Sequence, residues 1–454
     1  MKICKSSIYR KNSALPRIKF QDQQLTSFAG LVIVKKFFFD NAVAEKIAAC
    51  WRHLGTTRFY NPALIVRLLM IHILLGYRKI GDVKFYGDDP MVKSTLELNQ
   101  LPSPSTISRV MGEFDDKGVQ ELQGLMRAEV IGRIRKEDFK RLTLDFDGSV
   151  LSSRRHAEGS AVGFNKKKKG LRSYYPLICT LAQTGQVFDV LHRSGNIHDS
   201  NGAIEFIRQC LRVLKDLFPK TKFEVRMDSA FYSQEMITML GKLGVEYSIT
   251  VPFERFLLFK KWISERCRWF PVKGSQGSTA FFEYRFRPKS WTRKARFIFI
   301  RKECALQRKK PIQLDLFEPQ ELGYEFKVII TNKKINAKSV VRYHEGRGYQ
   351  ENIYAELKSE AQMEYIPCKK WVANKVFLLT NFLTHNYMRE LQMSSHQASR
   401  AQTEKRTVRW IFEGMASLRK KIFQRAGKLT CPQGRPTLTM SHNSAVQEML
   451  ATYL

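Results

Sequence analysis

Carboxylates stand at three places in this chain where their spacing permits chemistry. In Arg141-Leu142-Thr143-Leu144-Asp145-Phe146-Asp147-Gly148-Ser149, two of them interrupt an apolar run one residue apart. A strand has a side-chain period of two, so Asp145 and Asp147 share one face while Leu144 and Phe146 share the other. Gly148-Ser149 then ends the run. Such a strand end either holds a metal or an acid, or merely places one Asp as a turn cap. Asp228 closes a second β-prone run, Lys222-Phe223-Glu224-Val225-Arg226-Met227, before Ser229-Ala230-Phe231-Tyr232. Alone, it too reads as a cap. The third place is the helical stretch from Tyr343 to Lys358. There Arg347, Glu351 and Lys358 recur at four and seven residues and share a helix face. A Glu between two cations is either a solvated ion-pair row or a ligand flanked by phosphate-binding groups. Gly348 beside it permits a close approach. Glu356 projects about 140° away from Glu351 and reads as a structural ion-pair partner or an alternative carboxylate.

If they converge, Asp147, Asp228 and Glu351 offer the oxygen ligands that hard divalent cations require. Two such ions about 4 Å apart activate a water or a 3′-hydroxyl and stabilise the leaving oxygen of an in-line phosphoryl displacement. The expected cofactor is therefore a pair of Mg²⁺ ions, with Mn²⁺ able to substitute.

Charge points to the substrate. The chain has 454 residues, with 77 Lys and Arg against 42 Asp and Glu, a formal excess of +35. A polyanionic partner relieves that self-repulsion, and nucleic acid is the usual one. No apolar run reaches the roughly 18 residues of a spanning helix. The basic start, Met1-Lys2-Ile3-Cys4-Lys5, lacks an apolar continuation, so no signal peptide is expected. The 8 cysteines form no Cys-x-x-Cys pair, which argues against a zinc ribbon and for reduced thiols in the cytoplasm.

The elements that must position these groups follow from the hydrophobic pattern. Residues 1–25 read as a polar, basic arm. From Phe28 to Lys140 the period is helical, with Asn61-Pro62 as an N-cap and first-turn proline. Ser103, Ser105, Thr106, Ser108 and Arg109 open a further helix, where they cap it or touch a phosphate backbone. After the first carboxylate strand comes a hairpin turning at Thr184-Gly185. A helix from Ser200 to Leu217, the Asp228 strand, a helix from Ser233 to Lys242 and a strand from Gly244 to Val251 follow. This alternation predicts a mixed sheet with helices packed on it, an α/β fold. Residues 252–325 interleave Trp262, Trp269, Trp291 and many Phe with Arg and Lys, and read as an antiparallel β-rich insertion. Gly323 to Asn332 returns to a buried strand, and Asn336 to Gln362 reads as mostly helix. Residues 391–403 read as a linker, and Thr403 to Ala426 as a basic amphipathic helix. The one low-complexity patch is Lys166-Lys167-Lys168-Lys169-Gly170.

Together these stretches resemble an insertion-sequence transposase of the DDE type. The match is to the group whose catalytic helix carries a Tyr, Arg, Glu, Lys signature, and within it to the thirteen-eighty family of insertion sequences. Arg347, Glu351 and Lys358 keep the signature's Arg-to-Glu and Glu-to-Lys spacings, while Tyr343 stands one residue too far from Arg347. The resemblance implies an RNase H-like core. It favours Asp147 over Asp145 as first carboxylate, because the family's first catalytic Asp precedes small hydroxyl residues. It implies that Asp147, Asp228 and Glu351 are catalytic and ligate the two Mg²⁺ ions. Tyr343, Arg347 and Lys358 then hold DNA phosphates near the cut, Lys166, Lys167, Lys168 and Lys169 track the backbone, and one of the three tryptophans stacks on a flipped base. The expected layout is a helical DNA-binding region over 1–140, core over 141–251 and 326–390, the insertion over 252–325 and a basic helical region over 391–454. The expected function is a transposase that cleaves terminal inverted repeats and joins their 3′-hydroxyls to target DNA. The expected partners are double-stranded DNA and, on DNA, a second copy, in a bacterial cytoplasm near the nucleoid. The rival expectations are a silent DNA-binding derivative and a two-metal nuclease without strand transfer.

Overall fold

The computed structural model describes residues 15–55, 59–153, 156–163, 168–198, 201–272, 279–289, 291–303, 323–403 and 408–454. The amino-terminal third is helical, as its period predicts: α1 (Leu31–Asp40), α2 (Val43–Cys50), α3 (Pro62–Leu75), α4 (Pro90–Leu96), α5 (Pro104–Met111) and α6 (Asp116–Glu137). The local signals are the expected ones. The Asn61 side chain accepts from the Leu64 amide at 2.9 Å with Pro62 in the first turn of α3, and Asp115 caps α6 through the Gly118 amide at 3.0 Å.

Nine strands form one mixed sheet. In chain order they are β1 (Arg141–Gly148), β2 (Leu177–Leu181), β3 (Val187–Leu191), β4 (Lys222–Met227), β5 (Glu246–Val251), β6 (Phe270–Pro271), β7 (Thr279–Phe286), β8 (Ala295–Glu303) and β9 (Tyr324–Thr331). Across the sheet the order is β6-β7-β8-β9-β5-β4-β1-β2-β3. The pairs β1/β4 and β4/β5 are parallel, and every other pair is antiparallel. The β-rich insertion is therefore not a separate sheet: β6 to β8 hydrogen-bond onto β9 and extend the central one. The run Ser173–Ala182, which reads as one strand, is broken at Tyr175-Pro176. Arg172–Tyr174 joins a small side sheet with Leu151–Ser152 and Ala161–Val162, and only Leu177–Leu181 enters the large sheet.

Alternation gives the central sheet two different faces. Leu142, Leu144 and Phe146 of β1, with Val225 and Met227 of β4, face an apolar cluster under α7 (Ala203–Leu217) and α8 (Gln234–Lys242). The opposite face carries polar side chains and is covered by α10 (Ala337–Glu345) and α11 (Gly348–Ser359), with α9 (Leu257–Ser264) lying beside the insertion strands on the apolar side. The stretch expected as one helix from Asn336 onward is thus two, interrupted at Gly346-Arg347. The long helix α12 (Trp371–Ser395) then crosses the molecule, buried along nearly its whole length. Its Phe377, Phe382 and Tyr387 join one apolar cluster with α1, α3 and α6, and Ile353 and Leu357 of α11 belong to the same cluster. The amino-terminal helices are continuous with the helix that carries Glu351.

The carboxyl-terminal region differs from the basic helix expected there. Helix α12 runs into the first residues of the linker expected over 391–403, ending at Ser395. Only Met415–Leu418 and a π-turn at Arg419–Phe423 are helical in 408–426, followed by an antiparallel hairpin, Gly427–Thr430 with Thr437–Met440, and a last helix, α13 (Ser444–Tyr453). Arg419 explains part of the departure. Its guanidinium is drawn inward to the Leu74 carbonyl at 2.9 Å and to Glu360 at 3.0 Å, which fixes the chain locally against α3 instead of leaving a solvated basic face. Among the described residues no helix is long and apolar enough to cross a membrane.

Buried histidines give the fold a pH dependence. Burial pushes His72 and His385 down to about 4 and His192 down to about 3. His192 packs at a tilt against Trp371 at 4.3 Å and Tyr174 at 4.7 Å. These pKa values lie below the unfolded value of about 6.5. The unfolded chain therefore binds protons that the folded chain refuses, and stability falls as pH drops below about 6.5. The denaturation midpoint is expected to decrease steadily from about pH 7 to about pH 5. Replacing His192 with Phe should make that decrease shallower, as measured by urea titration at each pH.

Candidate active site

The site is built on the polar face where β1 and β4 end. Their parallel register pairs Thr143 with Glu224, Asp145 with Arg226, and Phe146 with Met227. Asp147 is the next residue of β1 and Asp228 the residue just past the end of β4, so the register brings both to the same end of two neighbouring strands, which lie about 4.8 Å apart.

One rung lower, the ion pair between Asp145 and Arg226 fixes this register. Arg226 donates from Nε to Oδ1 at 2.7 Å and from Nη2 to Oδ2 at 2.6 Å, with Asp145 1% exposed and Arg226 6%. Burial pushes the Asp145 carboxyl up against the opposing pull of Arg226. With both oxygens occupied, Asp145 is a structural group. The remaining Arg226 nitrogen, Nη1, donates to the Tyr343 carbonyl at 3.0 Å and so ties α10 to the sheet. Gly346 allows this: a Cβ there would lie 2.2 Å from the same guanidinium nitrogen. Gly348, the residue expected to permit close approach, has open space around it.

Asp147 is left more open. Its side chain is 22% exposed, and Oδ1 accepts from the Gly148 amide at 2.8 Å. Asp228 does two jobs, accepting from the Ala230 amide at 3.0 Å while it opens the Ser229–Phe231 turn. Glu351 lies on the first turn of α11 and is 68% exposed. Arg347 stands between, with Nη1 3.5 Å from Asp147 and Nη2 3.7 Å from Glu351. Guanidinium thus links the first and third carboxylates. Among the described residues, no three of His, Cys, Asp or Glu are grouped closely enough to hold a metal ion.

Two α11 residues that sequence reasoning passed over seat this helix. Gln350 donates from Nε2 to the Asp145 carbonyl and to Thr180 Oγ1, both at 3.0 Å. Tyr354, one turn on, donates its hydroxyl to the Asp147 carbonyl at 3.0 Å. Their four-residue spacing next to Glu351 was a visible signal. A buried face of Gln350, Ile353, Tyr354 and Leu357 leaves Glu351 at the rim of the sheet. His344 closes the layer beneath, its ring held by Ser248 at 2.6 Å and Thr250 at 3.0 Å. Burial, then Lys327 and Arg347, hold it well below the ordinary histidine range, so it is neutral.

Other expected site residues are placed elsewhere. The Tyr343 hydroxyl is buried and its ring lies against Arg226 and Lys333, with the Lys333 ammonium 4.2 Å from the ring centre. It is part of the polar layer and is not presented to a phosphate, because its position on α10 turns it onto the sheet. Glu356 is not an alternative ligand. It forms an ion pair with Arg389 and accepts the Met415 amide at 2.8 Å. Lys358 lies 3.6 Å from Glu364. Ser103 caps α5 through the Thr106 amide at 3.2 Å, while Ser108 and Arg109 remain exposed. Trp262, Trp269 and Trp291 pack edge-on or stacked against Phe259, Phe282 and Tyr232 as part of the insertion's apolar core, which occupies the faces a flipped base would need. Lys168 and Lys169 are exposed; Lys166 and Lys167 lie outside the described residues.

The mixed α/β fold thus carries Asp147 and Asp228 near the ends of two neighbouring parallel strands and Glu351 on a helix over them. Residues 11–454 match the family described as transposase DDE domain group 1, and the chain belongs to that family. Two solved structures are similar to it. One is a piggyBac transposase synaptic complex with hairpin DNA, at 12% identity, covering 94% of this chain and 85% of that chain with a TM-score of 0.45. The other is a Mos1 transposase paired-end complex with a left transposon end, at 10% identity, covering 42% and 59% with a TM-score of 0.18. No curated protein matches.

The geometry separates two aspartates that sequence alone leaves alike. Arg226→Met strands a buried carboxylate and is expected to cost about 3–5 kcal/mol of stability. Asp147→Asn, at the open strand end, should change stability by no more than about 0.5 kcal/mol. Urea denaturation of the two variants checks this contrast.

Proposed function

We propose that this family member is a DNA transposase that binds the terminal inverted repeats of its element, cleaves them and joins the 3′-hydroxyl ends to target DNA. The observation that supports the reading is the parallel register of β1 and β4, which runs to Phe146 and Met227, the residues just before Asp147 and Asp228. The strand order β3-β2-β1-β4-β5, with β1 antiparallel to β2 and parallel to β4, supports an RNase H-like core. The basic excess of the chain supports a nucleic acid substrate.

The donor set suits Mg²⁺, which is ordinarily held by one or two carboxylates together with waters and substrate phosphate oxygens. Asp147 and Asp228 would hold it, with Glu351 completing the ligand set from α11. Bound there, two such ions supply an activated water or hydroxyl and charge stabilisation for the leaving oxygen. The protein's own residues do the rest. Gln350 and Tyr354 hold α11 over β1 and so set where Glu351 sits. Arg347 offers a guanidinium between the first and third carboxylates, where it can pair with a phosphate oxygen once DNA enters. Lys358 stands about three turns further along the same face of α11. A second copy of the chain on the paired ends fits a reaction that must hold two DNA ends at once.

The test is cleavage of a plasmid carrying the element's ends in Mg²⁺ or Mn²⁺, followed by a strand-transfer assay. Asp147→Asn, Asp228→Asn and Glu351→Gln are each expected to lower cleavage by at least about 10³-fold, the scale of one removed transition-state stabiliser, while end binding persists. Retained cleavage in Asp228→Asn would overturn the site. Wild-type protein that binds the ends and never cuts them is a DNA-binding module. Cleavage without joining makes it a nuclease.

A further inference from the structure

A second charged feature lies on the other side of the sheet. Helix α8 forms one wall of an open groove and the β7–β8 hairpin forms the other, with the segment after β9 as its floor. The groove encloses about 1250 Å³ and continues into a second depression of about 690 Å³ between α7 and α8, the two sharing Gln234, Thr238 and Lys242. Among the described residues nine cations line it, of which three are held in ion pairs and six are not: Arg212, Lys242, Arg285, Arg293, Lys294 and Lys334. All six are exposed, and among the described residues none has a carboxylate within 4.0 Å. The acids nearby do not balance them. Glu283 is taken by Arg296 at 2.6 Å, which leaves Glu235 as the other acidic lining residue. The three paired lining cations are Arg208 with Glu205, Arg296 with Glu283, and Lys333 with Glu224 and Glu246. Convergent like charges without counter-charge are a footprint for a polyanion.

One end of the groove leads to the site. Trp291, in its wall, stacks on Tyr232 with ring centres 5.7 Å apart, and Tyr232 ends the turn that Asp228 caps. The wall at Trp291 thus touches the residue that ends the turn after the second carboxylate, and the groove runs along α8 from Gln234 to Lys242. Its size exceeds that of an ordinary small-molecule pocket, roughly 300–1,000 Å³, and its cations are strung along its length.

We infer that this groove is a DNA track that grips the phosphate backbone of a duplex at a distance from the bond being cut. The inference rests on the proposal that the protein acts on DNA. The cations provide sequence-independent anchoring, so the track serves flanking or target DNA whose sequence is not fixed.

The test compares the wild-type chain with Lys242→Gln/Arg285→Gln/Arg293→Gln/Lys294→Gln by fluorescence anisotropy on a labelled random duplex of about 30 base pairs, across a salt series. A control variant removes four exposed cations remote from the groove, Arg52, Lys117, Lys428 and Arg435, again as Gln. Affinity of the groove variant is expected to fall at least about tenfold at about 0.1 M salt, and its log–log salt slope to shrink by about 0.9 for each phosphate that it no longer neutralises. The control should change both far less. Equal losses in the two variants, or none in the groove variant, overturn the track while leaving the carboxylate site untouched. A wild-type chain that binds no duplex overturns both proposals. If the fourfold variant lacks a cooperative melting transition, Arg293→Gln/Lys294→Gln, confined to an exposed loop, is read in its place, with half the slope change expected.

Discussion

The Asp145–Arg226 ion pair is the constraint on which the site depends. It is bidentate, buried and spans the two parallel strands that end at Asp147 and Asp228. A buried pair of this kind adds little net stability compared with an apolar pair of the same shape, but breaking it is costly. What it contributes is registry. A slip of one residue would turn every side chain of β1 to the other face and bury Asp147 in the apolar cluster. The same guanidinium reaches the Tyr343 carbonyl, so one side chain aligns two strands and the helix pair above them.

The helix above is held by a different force. Gln350 and Tyr354 give direction through hydrogen bonds to the backbone and side chains of β1 and β2, while Ile353 and Leu357 supply apolar burial against α12. Because α12 also packs on the amino-terminal helices, the position of Glu351 is coupled to a core that begins more than 300 residues earlier in the chain. The mechanical unit is therefore larger than the catalytic strands. It includes the helices that a reading by segments assigns to a separate region.

Charge is distributed unevenly over this frame. On the polar face, carboxylates and cations are closely matched, and the cation nearest the site, Arg347, is shared between Asp147 and Glu351. In the groove along α8 six of the nine cations have no such partner among the described residues. The formal excess of +35 is thus not a uniform coat, and the groove is one of the places where it collects.

Much of this was legible in the residues. Period-two alternation identified β1 and β4 and put Asp145 and Asp147 on one face, because side-chain direction along a strand is a local property. Caps such as Asn61 and Ser103 were readable for the same reason. The motif spacing around Arg347, Glu351 and Lys358 pointed to the helix, and the family match agrees with the transposase reading. The resemblance favoured Asp147 over Asp145, but the sequence could not show that both Asp145 oxygens are taken by Arg226, a residue far along the chain. Nor could it show that Tyr343 is turned inward, that Glu356 belongs to Arg389, or that the insertion strands extend the central sheet. Each of these follows from which surfaces meet, and contact between distant segments is set by packing and register, which only the tertiary structure decides.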